Sequence, residues 1–195
     1  MSAIGIRLHP PTDDPAESRL FGAPCLTSEL LREIGEDEIF IAQVRLCDIA
    51  EYDAAGQLPH EGYLYFFITA GEGACRMPSG DMRARVRYSA APPTTVVDDF
   101  NDASPLGEGL GRGYALTFAS VADDDDGMKL LGTPAMWEGD APGRLLFQYD
   151  PYEASVPFLS HMDGYAYFFF PPSDSAGVGT PPRNFDRVTF TACYS

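Results

Sequence analysis

Few residues in this 195-residue chain have the type and spacing to do chemistry. Asp150, His161 and Asp163 bring two carboxylates and an imidazole into one short stretch, donors that a divalent cation accepts. His60 and Glu61 take the equivalent places earlier in the chain. The spacing fits no metal-site class, and Glu61 and Asp163 each stand directly before a glycine. A carboxylate that fixes a turn through backbone hydrogen bonds is therefore the favoured reading, with metal binding as the rival. A second set, Asp98, Asp99, Asp102, Asp123, Asp124, Asp125 and Asp126, is purely acidic. It lacks the alternating ligands and the glycine of a calcium loop, so its chemistry is attraction of a basic partner. No serine or cysteine sits in a nucleophile context, and His9 lies in a proline-rich stretch. The glycine-rich run from Gly107 to Gly113 carries an acid where a phosphate would sit. Neither a catalytic residue nor a cofactor is expected.

The charge balance narrows the partner further. Thirteen Lys and Arg stand against twenty-nine Asp and Glu, a net −16, which repels nucleic-acid backbones and anionic membranes. Residues 89–127 hold eight of the acids against the single Arg112. The start of the chain lacks the charged-then-apolar run of a secretory signal, and no apolar stretch is long enough to cross a bilayer as a helix. Cys25, Cys47, Cys75 and Cys193 are scattered without a C-x-x-C pair. A cytoplasmic protein with a basic protein partner, and neither nucleic acid nor membrane as a target, is the expectation.

Two copies of one pattern must position these residues. Gly62-Tyr63-Leu64-Tyr65-Phe66-Phe67 recurs 102 residues later as Gly164-Tyr165-Ala166-Tyr167-Phe168-Phe169, and Arg85-Val86 recurs as Arg187-Val188 at the same offset. Gln43 and Gln148 each sit in an apolar run, and Phe21-Gly22-Ala23-Pro24 answers Leu131-Gly132-Thr133-Pro134. An amide buried in such a run needs a fixed backbone partner. Period-two alternation makes 82–88 a half-buried strand with Met82, Ala84, Val86 and Tyr88 inward. Its wet face carries Arg83, Arg85 and Arg87, expected to pair internally in so acidic a protein. The counterpart turns Val188, Phe190, Ala192 and Tyr194 inward, with Arg187, Thr189, Thr191 and Cys193 outward. The two Tyr-x-Tyr-Phe-Phe runs, apolar on both faces, predict central strands, and Tyr114–Ala119 predicts one strand inside the acidic segment. Glu29–Ile34 predicts a short helix capped by Thr27 or Ser28. The fold class is thus α+β and β-rich, with internally duplicated antiparallel sheet modules and few short helices. The repeats span about 20–88 and 130–195 of one domain, and an acidic insert at about 89–127 joins them.

Gly22-x-Pro24, Ile41-Ala42-Gln43, the run from Leu58-Pro59 through Phe67, Leu130-Leu131-Gly132-x-Pro134, Leu145 to Asp150 and Gly164-x-x-Tyr167-Phe168-Phe169 together resemble the YwqG-like bacterial domain. The resemblance runs from about Phe21 to the C-terminus. It implies a duplicated α+β fold with antiparallel sheet and carries over no catalytic residue. Some members of that family lie in neighbourhoods of polymorphic toxin systems, which implies an immunity or antitoxin role. A non-enzymatic interaction protein that neutralises a basic toxin through the acidic segment is the leading expectation. The alternative is a small-molecule or metal-binding domain, conceivably an enzyme, with a pocket at the seam between the repeats.

Overall fold

The computed structural model describes residues 3–70, 82–103, 110–135, 139–154, 165–171 and 184–192. The chain begins with β1 (Ala3–His9), the two-residue strands β2 (Arg19–Leu20) and β3 (Cys25–Leu26), and helix α1 (Leu30–Glu33). β4 (Glu38–Arg45), β5 (Tyr63–Ala70) and β6 (Met82–Ser89) follow, then β7 (Thr95–Val96) and β8 (Tyr114–Val121). The last part runs through β9 (Lys129–Leu130), β10 (Leu145–Tyr149), helix α2 (Pro151–Ala154), β11 (Ala166–Phe169) and β12 (Thr189–Ala192). The protein is β-rich, as its alternating apolar runs require. The expected helix forms at α1, where the Thr27 hydroxyl accepts the Leu30 amide at 3.2 Å.

Ten strands form one antiparallel sheet in the order β12-β11-β10-β9-β1-β8-β2-β4-β5-β6, and β3 pairs with β7 apart from it. The sheet curls until it is nearly closed, which brings its end strands β6 and β12 face to face. Curling buries one face completely: Ile6, Leu20, Val44, Phe66, Leu116, Leu130 and Phe147 fill the interior, and no space the size of a water remains among them. Phe66 packs on Phe147 and Phe168 at ring-centroid distances of 5.1 and 5.3 Å. On the outer face Tyr63, Tyr65 and Phe67 are covered by Leu26, Leu30 and the partly buried Phe100, and Tyr167 and Phe169 pack with Leu145. Both aromatic runs are therefore buried on two faces, which is why alternation is absent from them. On β6 the alternation holds through Val86, with Met82, Ala84 and Val86 buried and Arg83 and Arg85 exposed, whereas Arg87 and Tyr88 are both half-buried. Leading into and along β12, Val188 and Ala192 are buried and Arg187 and Thr189 exposed, but Phe190 and Thr191, expected on opposite faces, are both half-buried. Tyr194 and Cys193 lie outside the described residues.

The middle of the sheet comes from segments outside the two repeated stretches. β1 pairs with β8 along its whole length, with Ile6 opposite Phe118, and β1 also pairs with β9 while β8 pairs with β2. Each first strand thus lies beside the short strand that follows the other one. Two reciprocal hydrogen bonds fix this arrangement: the Ile6 amide donates to the Met128 carbonyl at 2.9 Å, and the Leu116 amide to the Ser18 carbonyl at 2.8 Å. His9 ends β1 and bonds the Thr117 hydroxyl at 2.8 Å, so it belongs to the sheet and not to the proline-rich stretch behind it.

The G-x-P pairs mark a matching corner in each half. Phe21 and Leu131 adopt positive φ, 54° and 62°, and Gly22 and Gly132 follow at 72° and 84°. Left-handed backbone costs an ordinary residue about 1 kcal/mol, so something must hold it. The Phe21 amide donates to Ile41 O at 2.8 Å and the Leu131 amide to Leu146 O at 3.1 Å. Ile41 and Leu146 are the residues skipped by the register between β4 and β5 and between β10 and β11, so each corner fills the hydrogen bond that a bulge leaves open. Among the described residues no helix is long and apolar enough to cross a membrane.

Candidate functional site

Gln43 and Gln148 are fully buried and do the same work in their own halves. The Gln43 side-chain oxygen accepts the Cys25 amide at 2.9 Å, and its nitrogen donates to Glu17 O at 2.9 Å. Gln148 accepts the Ala135 amide at 2.8 Å and donates to Gly127 O at 2.8 Å. The phenol of Tyr65 donates to Cys25 O at 3.0 Å, and that of Tyr167 to Ala135 O. Every polar atom of both amides is committed to backbone, so these glutamines clamp loops and offer nothing to a ligand.

The loops they clamp each enclose a buried cation. Arg19 donates to Ala23 O at 2.9 Å and Asp14 O at 3.1 Å, and pairs with Glu17 at 3.1 Å. In the second half Lys129 sends its ammonium to Asp123 O at 3.2 Å and to Asp125 O. Burial pushes the Lys129 ammonium below its ordinary value, against the surrounding aspartates, which favour the charge. The run from Asp123 to Asp126 is therefore a turn wrapped around a lysine. Two of its carboxylates have structural duties: Asp123 accepts the Thr133 hydroxyl at 2.7 Å, and Asp125 accepts the Gly127 amide at 3.0 Å. Asp124 and Asp126 are exposed. Asp98, Asp99 and Asp102 are also exposed, on the segment that Phe100 fastens against Phe40 and Phe67. The seven acids thus occupy two separate turns. No ion pair joins Asp98, Asp99, Asp102, Asp124 or Asp126 to a cation among the described residues.

His161 and Asp163 lie outside the described residues, and Asp150 uses an oxygen to accept the Tyr152 amide at 2.8 Å. Among the described residues no group of three His, Cys, Asp or Glu could hold a metal ion. In the first half His60 and Glu61 are exposed, and the turn is fixed by a residue that sequence reasoning passed over. Asp53, 2% exposed, accepts the amides of Gln57 at 3.0 Å and Leu58 at 2.7 Å, and lies 3.4 Å from the His60 ring. An acid followed by a glycine and a Gln-Leu-Pro stretch is the only signal it left. Gly62 is required in its own right. At φ +84° any Cβ would run into the Ser89 carbonyl, while Gly62 O accepts the Leu46 amide at 2.9 Å. Cys25 is a buried free thiol and Cys47 an exposed one.

The arginine stripe splits. Arg87 grips Glu38 with two bonds of 2.6 Å and lies over the Phe67 ring at 5.2 Å. Internal pairing, expected for all three, stops there: Arg83 and Arg85 are exposed and form no ion pair among the described residues. The reason is position. Arg87, opposite Tyr65, reaches diagonally over Phe67 to Glu38 on β4, while Arg83 and Arg85 line the edge of β6 that faces β12. There the sheet leaves a cleft of about 340 Å³, lined by residues 82–85 and 186–190. Arg83 and Arg85 stand on one side and Asp186 and Arg187 on the other, over a floor that includes the buried Ala84 and Val188. Arg85 and Arg187, 102 positions apart in the repeated pattern, thus line one cleft.

In comparisons with known proteins, no family model matches the chain. No curated protein matches it either.

Proposed function

We propose that the chain is a YwqG-like domain built from two copies of one sheet module, and that it acts in the cytoplasm as a non-enzymatic interaction protein that neutralises a basic partner of the toxin type. The matched corners at Phe21 and Leu131, the matched clamps of Gln43 and Gln148, and the reciprocal Ile6 and Leu116 bonds support the duplication. One observation carries the interaction role: Asp98, Asp99, Asp102, Asp124 and Asp126 are exposed and form no ion pair among the described residues, in a chain of net charge −16. Such carboxylates accelerate encounter with a cationic surface, and the acceleration fades with salt. Asp123 and Asp125 hold their own turn and serve the surface only by placing their neighbours.

The test is co-expression and pull-down with any basic protein found encoded beside this gene. Binding that weakens with salt, and is lost in D98N/D99N/D102N or in D124N/D126N, is expected. Binding and protection that survive all five substitutions overturn the assignment.

A further inference from the structure

The cleft between β6 and β12 does not belong to that acidic surface; its charge is the opposite. Three of the chain's thirteen cations, Arg83, Arg85 and Arg187, line it, with Asp186 as the one acid among the described lining residues. The fold elsewhere neutralises its buried arginines, as Glu38 does for Arg87 and Glu17 for Arg19. Here the Arg83 and Arg85 guanidinium groups stand exposed and form no ion pair among the described residues, although acids outnumber bases more than two to one along the chain. Guanidinium is the group best shaped for carboxylate and phosphate, because its planar fork offers parallel N–H donors to two oxygens. The floor between the arginines is apolar, with Ala84 and Val188 buried and Phe190 beside them. About 340 Å³ is the lower end of the range for small-molecule sites.

The geometry points to a binding site in this seam for a small oxyanion ligand, one that carries a carboxylate or phosphate group on an apolar body. The oxyanion lies between Arg83 and Arg85 of β6 and Arg187 of the facing edge, and the body rests on Ala84 and Val188. Because Arg83 and Arg85 come from β6 and Arg187 from the segment that enters β12, the site exists only where the two edges meet, and neither half of the sheet holds it alone. The negative surface elsewhere lowers the local concentration of anions, so affinity is set by the cleft itself and not by long-range attraction.

The experiment is a nuclear magnetic resonance titration of the full chain with phenyl phosphate, benzoate and uncharged phenol, following backbone amides and arginine side-chain N–H signals. Saturable shifts at Arg83, Arg85, Arg187 and Val188 with phenyl phosphate or benzoate are expected, and the tighter of the two identifies the headgroup. R83Q/R85Q should weaken that binding by about tenfold or more, the equivalent of one lost charge-assisted hydrogen bond. R187Q should do the same from the other wall, whereas R32Q, which removes an exposed charge on α1, should leave it unchanged. Absence of saturation with either anion, equal binding of phenol, or equal weakening by R32Q overturns the site. None of these results bears on the acidic turns, which the pull-down tests separately.

Discussion

Gln43 and Cys25 are joined by a buried hydrogen bond of 2.9 Å from the Cys25 amide to the Gln43 side-chain oxygen. This bond fastens the segment after the first G-x-P corner to β4, and it stacks with the bond from Tyr65 to the Cys25 carbonyl, so both polar groups of one residue are held. Replacing Gln43 by Leu keeps the volume and orphans the Cys25 amide and the Glu17 carbonyl. Each orphan costs about 1–3 kcal/mol, so Q43L should lose about 2–6 kcal/mol in urea unfolding. Q148L should lose a similar amount through Ala135 and Gly127.

Gly62 and Gly56 both have positive φ, yet they should respond differently to alanine. At Gly56 a methyl group meets nothing, so only the left-handed backbone opposes it, at about 1 kcal/mol. At Gly62 the methyl also strikes the Ser89 carbonyl at the end of the β5–β6 ladder. G62A should therefore lower the urea midpoint well beyond G56A, and equal effects would remove the steric account.

The Arg87–Glu38 pair bridges β6 and β4 over Phe67, with Glu38 only 6% exposed. E38Q leaves the guanidinium with neutral acceptors alone, the glutamine oxygen and the Glu33 carbonyl, and should cost about 3 kcal/mol. Because burying both charges is itself unfavourable, E38L/R87L should recover much of that loss. A double-mutant cycle by chemical denaturation measures the difference.

Alkaline pH should weaken the fold. Burial pushes the phenols of Tyr65 and Tyr149 well above the ordinary tyrosine value of 10. The unfolded chain then loses these protons first, so the stability they provide is complete below about pH 10 and declines above it, by up to about 1.4 kcal/mol per pH unit for each phenol. Urea midpoints between about pH 9 and 11 should fall, and Y65F should fall less steeply than the parent.

The sequence disclosed strands wherever burial was one-sided or complete. β6 was readable because Met82, Ala84 and Val86 alternate with arginines, and β5 because its apolar run is too long for one face. The corners at Phe21 and Leu131 were visible as repeated residues but not as positive φ, since neither Phe nor Leu advertises left-handed backbone. The partnership of β1 and β8 was invisible. Their residues share no motif, and the pairing of Ile6 with Phe118 depends on how the rest of the sheet curls. The cleft follows the same logic: Arg85 and Arg187 stand out in the sequence as a repeat, but only the curl of the sheet places them on one site. Of the acids, sequence could not separate Asp123 and Asp125, which serve their turn, from Asp124 and Asp126, which face water.

The placement of β1 sets a timetable for synthesis. Ala3–His9 is made before every other described strand, yet both strands that accept its ladder bonds, β8 and β9, are made only after β2 to β7. During translation this apolar segment has no seat, and the β2 side of the first half waits with an open edge until β8 arrives. Assembly of the sheet is thus a late, long-range event, slow by nature and exposed to aggregation if elongation stalls before Val121. A chain truncated after β6 keeps four consecutive strands of the ladder but lacks the partner that would shelter its N-terminus, so it is expected to accumulate as insoluble material.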